Sequence, residues 1–258
     1  MLLNSVILIL QETLEAALLI SVLLALNFQF RKSWTWLPYA LIFGLVGASL
    51  YAFYISPISE WFDYVGQEVT NASIHIAIVF AMVCYTAIVS TNIAGRAYSL
   101  AAALIVSLAI LREGSEILVY LSGFVYQTEE FPAVGVGASI GFGIGLSTGI
   151  IAYYTLVKLP GKWSILLPLA LLAIFAGSMA SQATLELSQA DWLPYTAMLW
   201  DSSSLISESS IMGQLLYALF GYEATPSAAQ VAAYLGAILL LVISACIPRY
   251  YRRVTQQC

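Results

Sequence analysis

Charge is scarce in this chain. Lys and Arg number nine and Asp and Glu 14, so that charged residues make up 9% of 258, against about 25% in a soluble domain. With 61% hydrophobic residues, that scarcity excludes a soluble globular protein and leaves an integral membrane protein. Histidine is nearly absent too. The single His75 supplies no Glu-x-x-His spacing, which disfavours a membrane-embedded di-iron enzyme. Three cysteines, Cys84 and Cys246 in apolar runs and Cys258 at the terminus, show neither metal spacing nor a pairing pattern.

What the chain has is long apolar runs. Seven reach the length that crosses a bilayer, at about 2–27, 35–56, 72–93, 98–124, 132–157, 163–187 and 227–248. The first lacks a basic leader and carries an acidic pair, so it reads as a span rather than a cleaved signal. Loop basic residues fall on one side: Arg31 and Lys32, Arg96, Lys158 and Lys162, then Arg249, Arg252 and Arg253. The opposite loops hold Glu60, Asp63, Glu68, Glu129, Glu130, Asp191, Asp201, Glu208 and Glu223, with no Lys or Arg. Positive residues mark the cytoplasmic side, which places the N-terminus outside and the C-terminus inside. Asn71 opens an Asn-Ala-Ser sequon, but so close to a span that it reads as chance.

Two runs break their own apolar character. The first span contains QETLE at 11–15 and the fourth REGSE at 112–116. Each ionisable group at a helix centre costs roughly 2.5–3.5 kcal/mol to insert, so four unpaired carboxylates would cost on the order of 10 kcal/mol. Glutamates at i and i+3 share one helix face. Glu12 with Glu15, and Glu113 with Glu116, are therefore two carboxylate combs. The first helix descends from outside and the fourth rises from inside. At 1.5 Å per residue the combs overlap in depth within a core about 30 Å thick. A bound cation would offset the mutual repulsion and the desolvation, because hard cations prefer carboxylate oxygens. Arg112 and Glu116 also have the spacing of an intrahelical ion pair, which leaves Glu12, Glu15 and Glu113 unexplained. Gln11 can donate to Glu15 but brings no charge. The four carboxylates and one arginine total -3, which a trivalent cation balances, as does a divalent cation with one proton.

The expected fold is thus an all-α integral membrane protein of seven transmembrane helices. It forms a single domain over 1–258: a 3+3 inverted repeat (1–95 and 96–187), an outer loop at 188–226 and a seventh helix at 227–248. Odd-numbered halves insert in opposite senses, and such repeats place a transport site at their interface. Gly137, Gly141, Gly145 and Gly149 recur every fourth residue and form a bare stripe for close helix packing. His75 reads as a hydrogen-bonded interior residue. Glu186 reads equally as an interfacial residue or as a ligand at the mouth of the site, where Glu129 and Glu130 are further candidates.

The paired motifs in the first and fourth of seven spans resemble those of the high-affinity iron permeases, the oxidase-dependent transporters of fungi and their bacterial EfeU-type counterparts. REGSE at 112–116 matches their Arg-Glu-x-x-Glu motif fully, whereas QETLE at 11–15 has Gln11 where the family has arginine. MASQATLELSQADWLP and LWDSSSLISESSIMGQLLYALFGYEATPS also resemble the family's sixth span and last outer loop. The resemblance implies iron import across a bacterial inner or plasma membrane, with Glu12, Glu15, Glu113 and Glu116 as the iron path and Arg112 and Gln11 in support. It implies iron as substrate, no organic cofactor and no enzymatic activity. Expected partners are the lipid bilayer and extracytoplasmic proteins that oxidise or bind iron. No nucleic acid is expected, and a homo-oligomer stays open. Two alternatives remain at this point: a permease for another di- or trivalent or proton-coupled cation, and a dicarboxylate metalloenzyme.

Overall fold

The computed structural model describes the backbone of residues 1–91, 96–125 and 129–255, and the side chains of these except 90, 91, 96 and 247–255. The side chains of Arg96, Arg249, Arg252 and Arg253, and the whole of Cys258, lie outside the described residues. The elements in order are α1 (Leu2–Gln29), α2 (Leu37–Phe53), α3 (Ile55–Ser59), α4 (Trp61–Tyr64), α5 (Gly66–Thr91), α6 (Arg96–Ser122), α7 (Phe131–Val157), α8 (Trp163–Gln189), α9 (Ile211–Phe220) and α10 (Ala228–Thr255). Among the described residues the only strand-like pairing is one bridge between Met198 and Ser227.

Each of the seven expected runs forms a helix, as backbone in hydrocarbon must to satisfy its own polar groups. Five of them, α1, α5, α7, α8 and α10, are long and apolar enough to cross a membrane. The other two differ for physical reasons. α2 has 17 residues, about 25 Å at 1.5 Å per residue. α6 has 27 residues but interrupts its apolar run with Arg112, Glu113 and Glu116. Large side chains such as Phe43, Phe53, Phe80, Leu100 and Ile151 point outward and are exposed, as lipid-facing residues are.

Packing follows the glycines. α1 lies along α7, and α2 along α6, as the two most extensive helix pairs. The α7 stripe faces α1: a methyl group at Gly141 would fall 2.5 Å from the Val6 carbonyl oxygen, and one at Gly145 would fall 2.8 Å from Thr13 Cβ. Close approach also lets the Ser21 hydroxyl donate to the Gly149 carbonyl at 2.6 Å. On the other pair, a methyl at Gly44 would fall 2.7 Å from Ile110 Cβ. α6 packs also on α5, α1 also on α8, α1 meets α6, and α5 meets α8. α10 covers α8 and α5, with Thr86 and Ser244 hydroxyls 2.5 Å apart.

The 188–226 segment, expected as loop, contains α9. Ser210 caps its start by accepting from the Gly213 amide at 3.0 Å. Gly221 ends it with φ 65° and sits against α8, where a methyl would fall 2.5 Å from Ser178 Oγ. At the same end of the bundle, α4 is a left-handed turn with φ of 53°, 62° and 71° at Phe62, Asp63 and Tyr64. Its Phe62 ring meets Trp192 edge-on at 5.5 Å, which ties the turn to the segment after α8.

Candidate functional site

α1 and α6 carry the two motifs into the middle of the bundle. Carboxylate oxygens of Glu12, Glu113 and Glu116 all lie within 4.8 Å of one another. Glu12 is 6% exposed and Glu113 5%; Glu116 is half-buried. Like charges this close resist joint ionisation. Three oxygen donors converging on one point can hold a hard cation, and a cation there would relieve the repulsion.

The four motif glutamates are not equivalent. Glu15 lies outside the trio, with Gln11, Glu113 and Arg112 among the groups near it. The antiparallel run of α1 and α6 explains this. Glu12 and Glu116 sit nearer the end of the bundle that carries α3 and α4, and Glu15 and Glu113 nearer the opposite end. A cavity of about 270 Å³ reaches Glu12 and Glu116 and is lined also by Tyr51, Gln67, Asn71 and Ser115. Its remaining lining comes from Leu8, Ile55, Val119 and Tyr120, so it lies at the α3 end. Toward the opposite end the bundle is closed by buried apolar side chains, among them Leu19, Val22, Leu23, Met82, Ile105 and Leu172. The cavity therefore reaches the site from the α3 end, and buried apolar side chains lie on the site's other side.

Arg112 is buried and makes an ion pair with Glu116. Its Nη2 lies 3.7 Å from Glu186 Oε1, while its Nε is buried without a hydrogen-bond partner. The other Glu186 oxygen is 2.9 Å from His75 Nδ1. Glu186 thus stands beside the cluster on a buried histidine and an arginine. Each of the three residues stands out in the sequence, but nothing in it joins positions 75, 112 and 186. Glu129 is exposed and Glu130 half-buried at the start of α7; neither is within the carboxylate cluster.

One further polar residue near the site, Tyr51, has no signal in the sequence. Tyr51 donates to Asn71 Oδ1 at 2.7 Å on the wall of the cavity. Asn71 is buried inside α5, which agrees with reading its sequon as chance. A second cavity of about 290 Å³ lies between α9 and the bundle and joins Gln11 to Glu208, Tyr217 and Glu223. Burial holds the Glu223 carboxyl above the ordinary carboxylate range, against the bond it accepts from Gln230.

Comparison with known proteins puts a substrate class beside this geometry. The Iron permease FTR1 family matches residues 2–255. Ferrous iron permease EfeU of Shigella sonnei is 25% identical over 269 residues, covering 94% of this chain and 94% of that protein. The protein of the same name from Escherichia coli O157:H7 has the same identity and coverage. That of Yersinia pestis is 26% identical over 251 residues, covering 87% of this chain and 86% of that protein. No solved structure gives a significant match. Matched nearly from end to end, this multi-pass membrane protein belongs to the FTR1 family of iron permeases, transporters rather than enzymes.

Proposed function

We propose that the chain imports iron into the cytoplasm through a two-level carboxylate site formed by its QExxE and RExxE motifs. One observation carries this reading: three glutamates from two antiparallel motif helices place their oxygens within 4.8 Å of one another. Iron arrives through the cavity at Glu12 and Glu116, passes to Glu113 and reaches Glu15 on the closed side. Glu15 thereby has a reason to lie outside the trio. The relatives' name, ferrous iron permease, favours the ferrous ion.

The same reading sets the topology. All seven long helices span, with α2 and α6 included. The α3 and α4 end faces outside and the C-terminus faces the cytoplasm. Residues 1–95 and 96–187 form an inverted repeat, 188–226 an outer segment and 227–248 an added helix. The packing supports the repeat, because exchange of halves maps α1 on α7 to α6 on α2, and α1 on α8 to α6 on α5. Partners that oxidise or deliver iron would act at the outer end, and the apolar outer walls leave room for self-association.

The test is radioactive iron uptake normalised to membrane protein. Glu→Gln keeps size and polarity but removes a charge, and a neutral amide inserts more cheaply than a carboxylate. Gln variants at 12, 15, 113 and 116 should all reach the membrane and take up little iron. Normal uptake by both α1 variants, with both α6 variants inactive, would leave a one-helix site. A panel of other divalent ions in the same cells separates iron from a general cation. For orientation, a cysteine placed in 188–226 should react with an impermeant thiol reagent on intact cells; reaction only at the C-terminus would invert the topology.

A further inference from the structure

We propose that Glu186 and His75 form a docking position for Arg112, which receives the arginine when Glu116 turns to the metal. This rests on the reading of Glu12, Glu113 and Glu116 as iron ligands, and it assigns Glu186 a role that is not ligation. Glu116 has two claims on it. It is the ion-pair partner of Arg112, and it is a member of the carboxylate trio. A carboxylate that donates its electron pairs to a cation holds a guanidinium less well. Arg112 would then be a buried cation without a partner, which is strongly unfavourable.

Glu186 is placed to prevent that. Its Oε1 lies 3.7 Å from Arg112 Nη2, inside ion-pair range and outside good hydrogen-bond range. A small rotation of the guanidinium closes the gap. The planar fork has donors on more than one edge, and its buried Nε is without a partner in the present arrangement. Glu186 itself does not drift, because its second oxygen is held by His75 Nδ1 at 2.9 Å and that ring is 1% exposed. The three residues come from α5, α6 and α8, so the dock stands on the packed interior and not on a loop. On α1 the corresponding position is Gln11, which carries no charge and needs no dock.

The consequence is a coupling. Glu186 assists iron binding only by taking Arg112 away from Glu116, so its effect must vanish when the arginine is gone. The experiment is ferrous-ion binding to the purified full-length chain under anaerobic conditions, followed by calorimetry. Glu186→Gln should weaken binding about tenfold, near the low end of coupling between linked sites. On an Arg112→Ala background the same change should do nothing. Arg112→Gln, which keeps a long neutral donor, serves as the background if Arg112→Ala is not recovered folded. Glu186→Asp should restore part of the affinity. His75→Gln, which keeps a donor, should bind nearly as the parent, whereas His75→Leu should shift in the same direction as Glu186→Gln. Equal weakening with and without the arginine would make Glu186 a ligand and overturn the proposal, as would unchanged binding by Glu186→Gln. Glu113→Gln separates the two readings: if it binds iron normally, the ligand assignment falls and the dock with it; if it does not, only the Glu186 results decide.

Discussion

The motif helices α1 and α6 carry the same pair of glutamates and live in different surroundings. On α6, Glu116 has a full cationic partner in Arg112, and that arginine has a second carboxylate in reach. On α1, Glu15 makes no ion pair among the described residues and feels Arg112 only from across the site. Arg112 therefore pairs directly with the α6 comb and reaches the α1 comb only at longer range. More of the insertion cost is left on α1 than on α6. The two motif helices are thus unlike in electrostatics. On the proposed path an ion would move from Glu116, which is paired with Arg112, toward Glu15, which is not.

The largest effect should come from disturbing what brings the two halves together. α1 approaches α7 backbone to backbone, and a side chain at Gly145 has no room beside Thr13. Overpacking a close contact costs typically 1–3 kcal/mol and occasionally more. Gly145→Leu should therefore lower the amount of folded protein in the membrane sharply. Gly143, on the same helix but with open space around its Cβ position, should accept Leu with little change. The measurement is membrane yield by detergent-resistant fluorescence or immunoblot. Equal yields for the two variants would deny that the stripe sets the position of α1.

That stripe is legible in the sequence alone, because a four-residue glycine period has few other uses in a membrane helix. The helices themselves are legible for a related reason: hydrocarbon leaves the backbone no other option. The two glutamate pairs can be read from their cost. The unequal place of Glu15 cannot, since spacing on one helix says which face a residue shares and not which oxygens on another helix it meets. The His75, Glu186 and Arg112 grouping is hidden likewise, because it joins three helices far apart in sequence. α9 is an instructive middle case. Ser210 and Gly221 are a helix start and stop, but its ten residues are too few to register as a span.

A smaller change would make the halves more alike. Gln11→Arg writes the α6 pattern onto α1. The cavity beside Gln11, with Glu208 and Glu223 on its wall, has space and acidic company for the longer side chain. The variant should insert normally. Its added charge sits next to the path, and a unit charge pair at 4 Å is worth about 4 kcal/mol at an effective dielectric near 20, of which solvent in the cavity screens most. Half-saturation for iron should rise a few-fold with maximal uptake kept. Uptake as low as in Glu113→Gln would mean that the α1 half must stay uncharged.

The smallest effect belongs to Glu129 and Glu130, and it tests whether the comparison stops at the site. Glu129 and Glu130 lie at the start of α7, apart from the carboxylate cluster. Any influence they have on iron must act through the potential at the mouth and not through ligation. Such potentials fade within a Debye length, about 30 Å at 0.01 M salt and about 8 Å at 0.15 M. Glu129→Gln with Glu130→Gln should therefore lower uptake mildly at low ionic strength and not measurably at physiological salt. The check is the salt dependence of radioactive iron uptake by the double variant against the parent. A deficit that persists at 0.15 M would give these two glutamates a direct part in the path and would extend the α6 half's acidic set beyond Glu116 and Glu186 to the loop that follows it.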